Sequence, residues 1–168
     1  MIEKVSGVSY YDYVRKHIFE PAGMRSTDSL PETDKVSLRS VGYMRKGKSQ
    51  VPNTDTLPWR GTSAGGGYST VGDLFRFAQA LSSGKLLKPE LFADMTSNQA
   101  GKVGYGFGMS ISEGPEGKSF GHGGGAPGMN GELRVFPRTG TVAVVLANLD
   151  PPEASDLVDF FEARMPLD

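Results

Sequence analysis

Four glycines surround a single histidine in the segment Gly121-His122-Gly123-Gly124-Gly125, and these residues offer the clearest chemistry in the sequence. Glycine has no side chain, so another molecule can come close to the backbone there. Exposed N–H groups on such a segment can stabilise the negative charge that develops on a carbonyl oxygen during acyl transfer. Two other interpretations stay open from the residues alone: the glycines can serve a loop with positive φ angles, and His122 can be a buried structural histidine.

A serine at position 63 offers a second arrangement. Gly61-Thr62-Ser63-Ala64-Gly65 matches the G-x-S-x-G pattern of the nucleophile elbow of α/β-hydrolases, and the His-Gly-Gly-Gly segment matches an oxyanion motif of lipases. In that hypothesis Ser63 and His122 form an esterase triad together with an aspartate such as Asp94 or Asp150.

The surroundings of this serine make the esterase the weaker hypothesis. Residues 53–60 are polar and include Pro58, whereas an elbow follows a buried strand. Gly66-Gly67 is a poor start for the helix that should come next, and in α/β-hydrolases the His-Gly-Gly-Gly segment precedes the serine. A further match, Ser82-x-x-Lys85 to the S-x-x-K nucleophile pattern, contains Gly84 and falls where a helix should end, so we interpret it as chance.

Composition excludes several classes of function. The net charge is −1 without a block of like charges, which argues against nucleic-acid partners and anionic membranes. There is no cysteine, and His17 and His122 are the only histidines, so we expect no metal site and no cofactor. The longest apolar run, about residues 142–147, is too short for a membrane span, and the N-terminus lacks the apolar core of a signal peptide.

Hydrophobic periodicity changes along the chain and predicts an α+β fold in which an antiparallel sheet of C-terminal strands is flanked by helices. We expect one domain over residues 1–168, with helices and a glycine-rich loop in 1–100 and strands and a final helix in 101–168. The predicted helices are Ser9–Glu20, Val71–Ser82, Pro89–Met95 and Ser155–Met165. The predicted strands are Tyr105–Ile111, Ser119–His122, Glu132–Phe136 and Thr141–Leu149, with a hairpin from Val41–Met44 to Arg45–Lys48.

Several segments, in one order over nearly the whole chain, resemble the class C β-lactamases, the serine penicillin-binding proteins and related esterases. These segments are Ile2–Tyr10 leading to Ile18–Met24, Ser63–Thr70 before Asp73-Leu74, Tyr105–Met109, Gly121–Gly128, Phe136-Pro137 and Val144–Asn148. The resemblance implies a partial β-lactamase/transpeptidase-like fold. It also implies a small-molecule substrate with an amide or ester bond (a β-lactam, a D-amino-acid peptide or an ester) that is opened through an acyl-serine intermediate.

The resemblance assigns roles to the glycine segment. His122-Gly123-Gly124 is similar to the family's third motif, K-T-G or H-x-G, which lies on a core strand. By that likeness Gly125 supplies one oxyanion N–H, His122 contacts the substrate or the catalytic network, and Gly123 and Gly124 bind substrate. Gly123 stands where K-T-G carries a hydroxyl residue, so the contact of that hydroxyl with a substrate carboxylate is not expected.

The family's other two motifs, the nucleophilic S-x-x-K and the Y-x-N, lie upstream of the helix that opens this chain, and no Y-x-N tripeptide occurs here. We therefore expect the C-terminal portion of a catalytic domain that is inactive alone. We also expect self-association, or pairing with an N-terminal half, through an exposed sheet edge. A noncatalytic module that binds a peptide or an acyl ligand is the alternative function. The family implies a bacterial periplasmic or secreted location.

Overall fold

The computed structural model describes residues 1–115 and 117–165. It divides into two compact units, the first formed by Met1–Lys35 and Pro58–Phe92, the second by Val36–Leu57 and the described part of Ala93–Asp168. The predicted C-terminal part, 101–168, includes residues 116 and 166–168, which lie outside the described residues. That residues 1–168 form one catalytic domain stays a prediction.

The first unit opens with short consecutive helices: α1 (Ile2–Ser6), α2 (Tyr10–Val14), a π-helical segment (Arg15–Phe19) and α3 (Glu20–Ala22). The Ser9 hydroxyl accepts the Asp12 N–H and caps α2, and Gly23, at φ 74°, ends α3. The predicted helix from Ser9 is confirmed. Its π-helical middle was not predicted.

Two further helices, α4 (Val71–Ser82) and α5 (Pro89–Met95), have the predicted bounds. Thr70 caps α4 by accepting the Asp73 N–H. The helical spacing of Leu74, Phe75, Phe77, Ala78 and Leu81 predicts that they form its buried face. Ala78 and Leu81 are buried as expected. The expectation that Phe75 is buried is wrong, because its side chain is 42% exposed.

The second unit contains a hairpin of β1 (Tyr43–Lys46) and β2 (Ser49–Pro52) and a four-stranded antiparallel sheet in the order β3-β4-β5-β6. The sheet strands are β3 (Ser110–Gly114), β4 (Gly117–Ala126), β5 (Met129–Phe136) and β6 (Thr141–Ala147). The hairpin turns at Gly47, so both of its strands lie further along the chain than predicted. Strand β3 likewise begins later than predicted, and β4 continues through the glycines to Ala126.

The final helix, α6 (Glu153–Glu162), packs on β5 and β6 and places Ala154 and Val158 in fully buried positions. The α+β fold with an antiparallel sheet and helices is confirmed. The continuously apolar run Val142–Leu146 predicts a strand that is covered on both faces. This expectation is wrong, because β6 lies at the edge of the sheet and Leu146 is 42% exposed. No helix within the described ranges is long and apolar enough to cross a membrane.

Candidate active site

The glycines of β4 lie on two faces of the sheet and are needed for different reasons. Side chains alternate along a strand, so His122 and Gly124 share one face, and Gly123 and Gly125 share the other. A Cβ on Gly123 would stand 1.9 Å from the Glu132 Oε2, and one on Gly125 would stand 2.3 Å from the Pro151 Cγ. A Cβ on Gly124 would meet nothing within 4 Å. Packing against Pro151 therefore requires glycine at Gly125, and a side chain at Gly123 would displace the Glu132 carboxylate. At Gly124 the strand borders open space beside the exposed His122.

Beyond Gly121, β4 has an edge that is not paired with another strand among the described residues. The two-residue turn Pro127-Gly128 pairs Ala126 with Met129, and residues that close such a turn exchange backbone hydrogen bonds. Because the direction of these bonds alternates along a strand, the N–H groups of Gly123 and Gly125 point away from β5. Strand β3 reaches only the pair Ser110–Gly121, so no strand among the described residues pairs with residues 122–126 on that side.

The turn that ends β4 is fixed from two directions. The buried Asn53 donates from its amide to the Pro127 carbonyl at 2.9 Å. Asp150 accepts the Gly128 N–H at 2.7 Å and, with its other oxygen, the Arg45 N–H at 2.6 Å. These two backbone hydrogen bonds, from Arg45 and then Gly128, lower the pKa of Asp150. Asp150, one of the aspartates considered for an esterase triad, thus uses both carboxylate oxygens to hold backbone.

A network of ion pairs around Arg134 lies on the face of the sheet opposite His122. Arg134, which pairs with Gly121 across the strands, bonds to Asp159 at 2.9 Å, to Glu162, and to Glu132 at 3.3 Å. Burial lowers the pKa of the Arg134 guanidinium, but the hydrogen bonds to Asp159 and Glu162 outweigh burial and leave that pKa raised. The contacts of Arg134 thus connect α6 with β5, the neighbour of β4 in the sheet.

His122 itself has a partner that the sequence patterns did not identify. Its Nε2 lies 2.9 Å from the Tyr105 hydroxyl oxygen, and the two rings meet edge to face with centroids 6.0 Å apart. In the sequence, Tyr105 is only the first residue of a predicted strand and of the family-like segment Tyr105–Met109. The two residues are 17 positions apart, so no local spacing connects them.

Ser63 does not have the setting of a nucleophile elbow. It lies at the tip of a tight turn in which the Thr62 and Gly65 backbones exchange hydrogen bonds of 2.8 and 3.1 Å. The next helix, α4, begins only at Val71. Ser82 is the last residue of α4, and Gly84, at φ 76°, separates it from Lys85, so this S-x-x-K match lies at a helix C-terminus.

Among residues 1–115 and 117–165, no cluster of three His, Asp or Glu side chains is arranged to hold a metal ion.

Residues 1–164 match the family model described as Beta-lactamase. The chain belongs to the beta-lactamase family. It is therefore a member of a family of serine hydrolases, as the order of its segments predicted.

Known beta-lactamase-family relatives agree with this assignment. The chain is 32% identical over 148 residues to the putative penicillin-binding protein PbpX of Bacillus subtilis, covering 87% of this chain and 36% of that protein. A penicillin-binding protein structure from Bacillus halodurans superposes with a TM-score of 0.90 at 26% identity, over 98% of this chain and 52% of that one. A D-stereospecific amidohydrolase from a Streptomyces species gives 0.74 at 27% identity, over 92% and 48%. The chain thus spans between about a third and a half of the length of these relatives.

Proposed function

We propose that the chain supplies one wall of the active site of a serine hydrolase that opens amide or ester bonds through an acyl-serine intermediate. In this role the Gly125 N–H is one of two oxyanion donors, His122 contacts the substrate, and Gly123 and Gly124 line the path along which the substrate lies. The observation that carries the proposal is the end of β4: the N–H groups of Gly123 and Gly125 point to an edge that is unpaired among the described residues, and Gly124 borders open space on the His122 face.

The relatives support a proposal about the substrate class. Proteins named for penicillin binding and a D-stereospecific amidohydrolase share this fold, so we propose a β-lactam, a D-amino-acid peptide or amide, or an ester as the substrate. The two units described above would belong to a single catalytic domain.

The chain alone would not turn over substrate. An oxyanion donor is worth about 10²–10³ in rate, but only where a nucleophile has been activated. The sequence contains no Y-x-N, and its S-x-x-K match lies at a helix C-terminus. The nucleophile and its activating groups would come from a segment that carries both motifs.

Mass spectrometry of the chain after incubation with a fluorophosphonate and with benzylpenicillin tests this proposal. We expect no covalent adduct from the chain alone and adduct formation when a segment carrying S-x-x-K and Y-x-N is supplied. A stoichiometric adduct on Ser63 of the chain alone would overturn the proposal in favour of the esterase. Reversible, saturable binding of benzylpenicillin that never leads to an adduct, even with that segment present, would favour the noncatalytic binding module.

We also propose that the chain associates with a second copy or with such a segment. Strand β6 has a partner on only one side among the described residues, and the exposed Leu146 extends its apolar surface. Unpaired strands of this kind readily pair with another chain. Light scattering should show a mass above 18.0 kDa. A monomer at all concentrations, both alone and with that segment added, would contradict association.

A further inference from the structure

We propose that Tyr105 is a positioning residue that fixes the imidazole of His122 in the tautomer with the proton on Nδ1. The hydroxyl oxygen of Tyr105 lies 2.9 Å from Nε2, and either atom could be the donor on distance alone. The chemistry of the two groups and the way in which Tyr105 is held decide the direction.

The phenol is the better donor and the imidazole nitrogen the better acceptor. A tyrosine hydroxyl loses its proton near pH 10, whereas a neutral imidazole nitrogen is basic enough to take up a proton near pH 6.5. A hydrogen bond from the tyrosine O–H to Nε2 therefore joins the more acidic donor to the more basic acceptor. Once Nε2 accepts, the single ring proton of the neutral histidine must lie on Nδ1.

The backbone of Tyr105 is held from both sides. Its N–H donates to the Asn98 Oδ1 at 3.3 Å, and its carbonyl accepts the N–H groups of Gln99 and Ala100 at 2.8 and 3.2 Å. Gly106 follows at a point where a Cβ would stand 2.1 Å from the Met95 carbonyl oxygen. The hydroxyl is therefore presented to His122 by a segment that is fixed before any ligand arrives, which is what a positioning role requires.

The fixed tautomer determines which ligand groups His122 can recognise. Among the described residues Nδ1 has no hydrogen-bond partner, and His122 is exposed. With its proton on Nδ1, the ring offers a donor to the open face that it shares with Gly124. It would then pair with an acceptor oxygen, a carbonyl or a carboxylate of an acyl compound. This last step rests on the proposed function, whereas the tautomer does not.

Nitrogen NMR of the imidazole rings tests the inference on the ligand-free chain above pH 8, where neutral histidine predominates. We expect His122 to show a protonated Nδ1 and an unprotonated, hydrogen-bonded Nε2. In Tyr105→Phe, which keeps the ring and removes the hydroxyl, we expect the two nitrogens to move toward averaged shifts. Tyr43→Phe removes a hydroxyl elsewhere in the same unit and should leave His122 unchanged, and His17 serves as an internal reference in every spectrum.

A wild-type spectrum with the proton on Nε2 would overturn the inference, even if Tyr105→Phe failed to fold. Identical His122 spectra for the wild type and a folded Tyr105→Phe would also overturn it. Addition of benzylpenicillin separates this result from the proposed function. If the ligand leaves every resonance unchanged, the proposed site fails while the tautomer stands; if the Nδ1 signal moves more in the wild type than in Tyr105→Phe, both are supported.

Discussion

The carboxylate of Asp150 accepts the Gly128 N–H at 2.7 Å and thereby connects the segment after β6 to the turn between β4 and β5. Its second oxygen accepts the Arg45 N–H of β1. A single side chain thus joins two hairpins that are far apart in sequence. The register of β4, and with it the direction of the Gly125 N–H, depends on this turn.

Asp150→Asn should lower the melting temperature at pH 7, because the amide presents its NH₂ to one of the two backbone N–H groups. Hydrogen bonds from Arg45 and Gly128 hold the pKa of Asp150 below its ordinary 3.8 in the folded chain. The stabilisation is therefore complete above pH 3.8 and is lost as the pH falls through the folded-state pKa. In thermal melts from pH 3 to 8, the difference in melting temperature from the wild type should be constant above about pH 4 and should narrow below it.

The matched control is Asp94→Asn, which removes a carboxylate from the exposed, C-terminal end of α5. A negative charge near a helix C-terminus is unfavourable, so this change should not destabilise the chain. Equal melting temperatures for Asp150→Asn and the wild type at pH 7 would show that the two backbone contacts do not stabilise the fold.

Gly128→Ala should destabilise the chain for two separable reasons. Gly128 has φ 73°, a conformation that costs an alanine about 1–2 kcal/mol. A Cβ there would also stand 2.7 Å from the Asn53 Cβ. Gly7 has φ 75°, and a Cβ on it would meet nothing within 4 Å, so Gly7→Ala isolates the first effect. Urea unfolding should show a larger loss for Gly128→Ala than for Gly7→Ala, and equal losses would mean that the turn adjusts without cost.

Sequence patterns predicted the elements better than their connections. The predicted bounds of α4 and α5 were correct, because a capping threonine and a helix-initiating proline are local signals in the sequence. Strand β4 was predicted too short because glycine disfavours strands, and only pairing with β5 extends it to Ala126. The π-helical turn at Arg15–Phe19 and the exposure of Phe75 likewise depend on tertiary packing.

The same distinction applies to the site. The glycine segment was visible because four glycines beside a histidine are unusual, and its roles for His122 and Gly123–Gly125 stay predictions. The contact from Tyr105 to His122 was not visible, because the strands that bring the two residues together cannot be inferred from their spacing of 17. The sequence also does not distinguish Gly124 from Gly125. Only the structure shows that Gly124 borders open space, whereas Gly125 packs against Pro151.

Arg134→Met should destabilise the second unit although methionine fills much of the same volume. The change leaves the carboxylates of Glu132, Asp159 and Glu162 without their shared cation, and we expect a loss of about 1–3 kcal/mol. Urea unfolding of Arg134→Met at low and at high salt measures this, and the loss should shrink with salt because salt screens the remaining repulsion. Arg164→Met, which removes an exposed cation over the Phe160 ring together with its 3.0 Å hydrogen bond to the Phe160 carbonyl, is the control. A loss no larger than that of the control would contradict a stabilising role for Arg134.

Gly124→Ala offers the most direct test of where a ligand lies. The new methyl group would point into open space on the His122 face, so the fold should be retained while the space for a ligand is reduced. Overpacking of this kind typically costs about 1–3 kcal/mol, so benzylpenicillin should bind about tenfold or more weakly in an NMR titration of the backbone amides. Gly72→Ala in α4, where a Cβ comes no closer than 3.6 Å to another residue, should leave binding unchanged. If Gly124→Ala binds as the wild type does, the ligand does not lie along this face of β4.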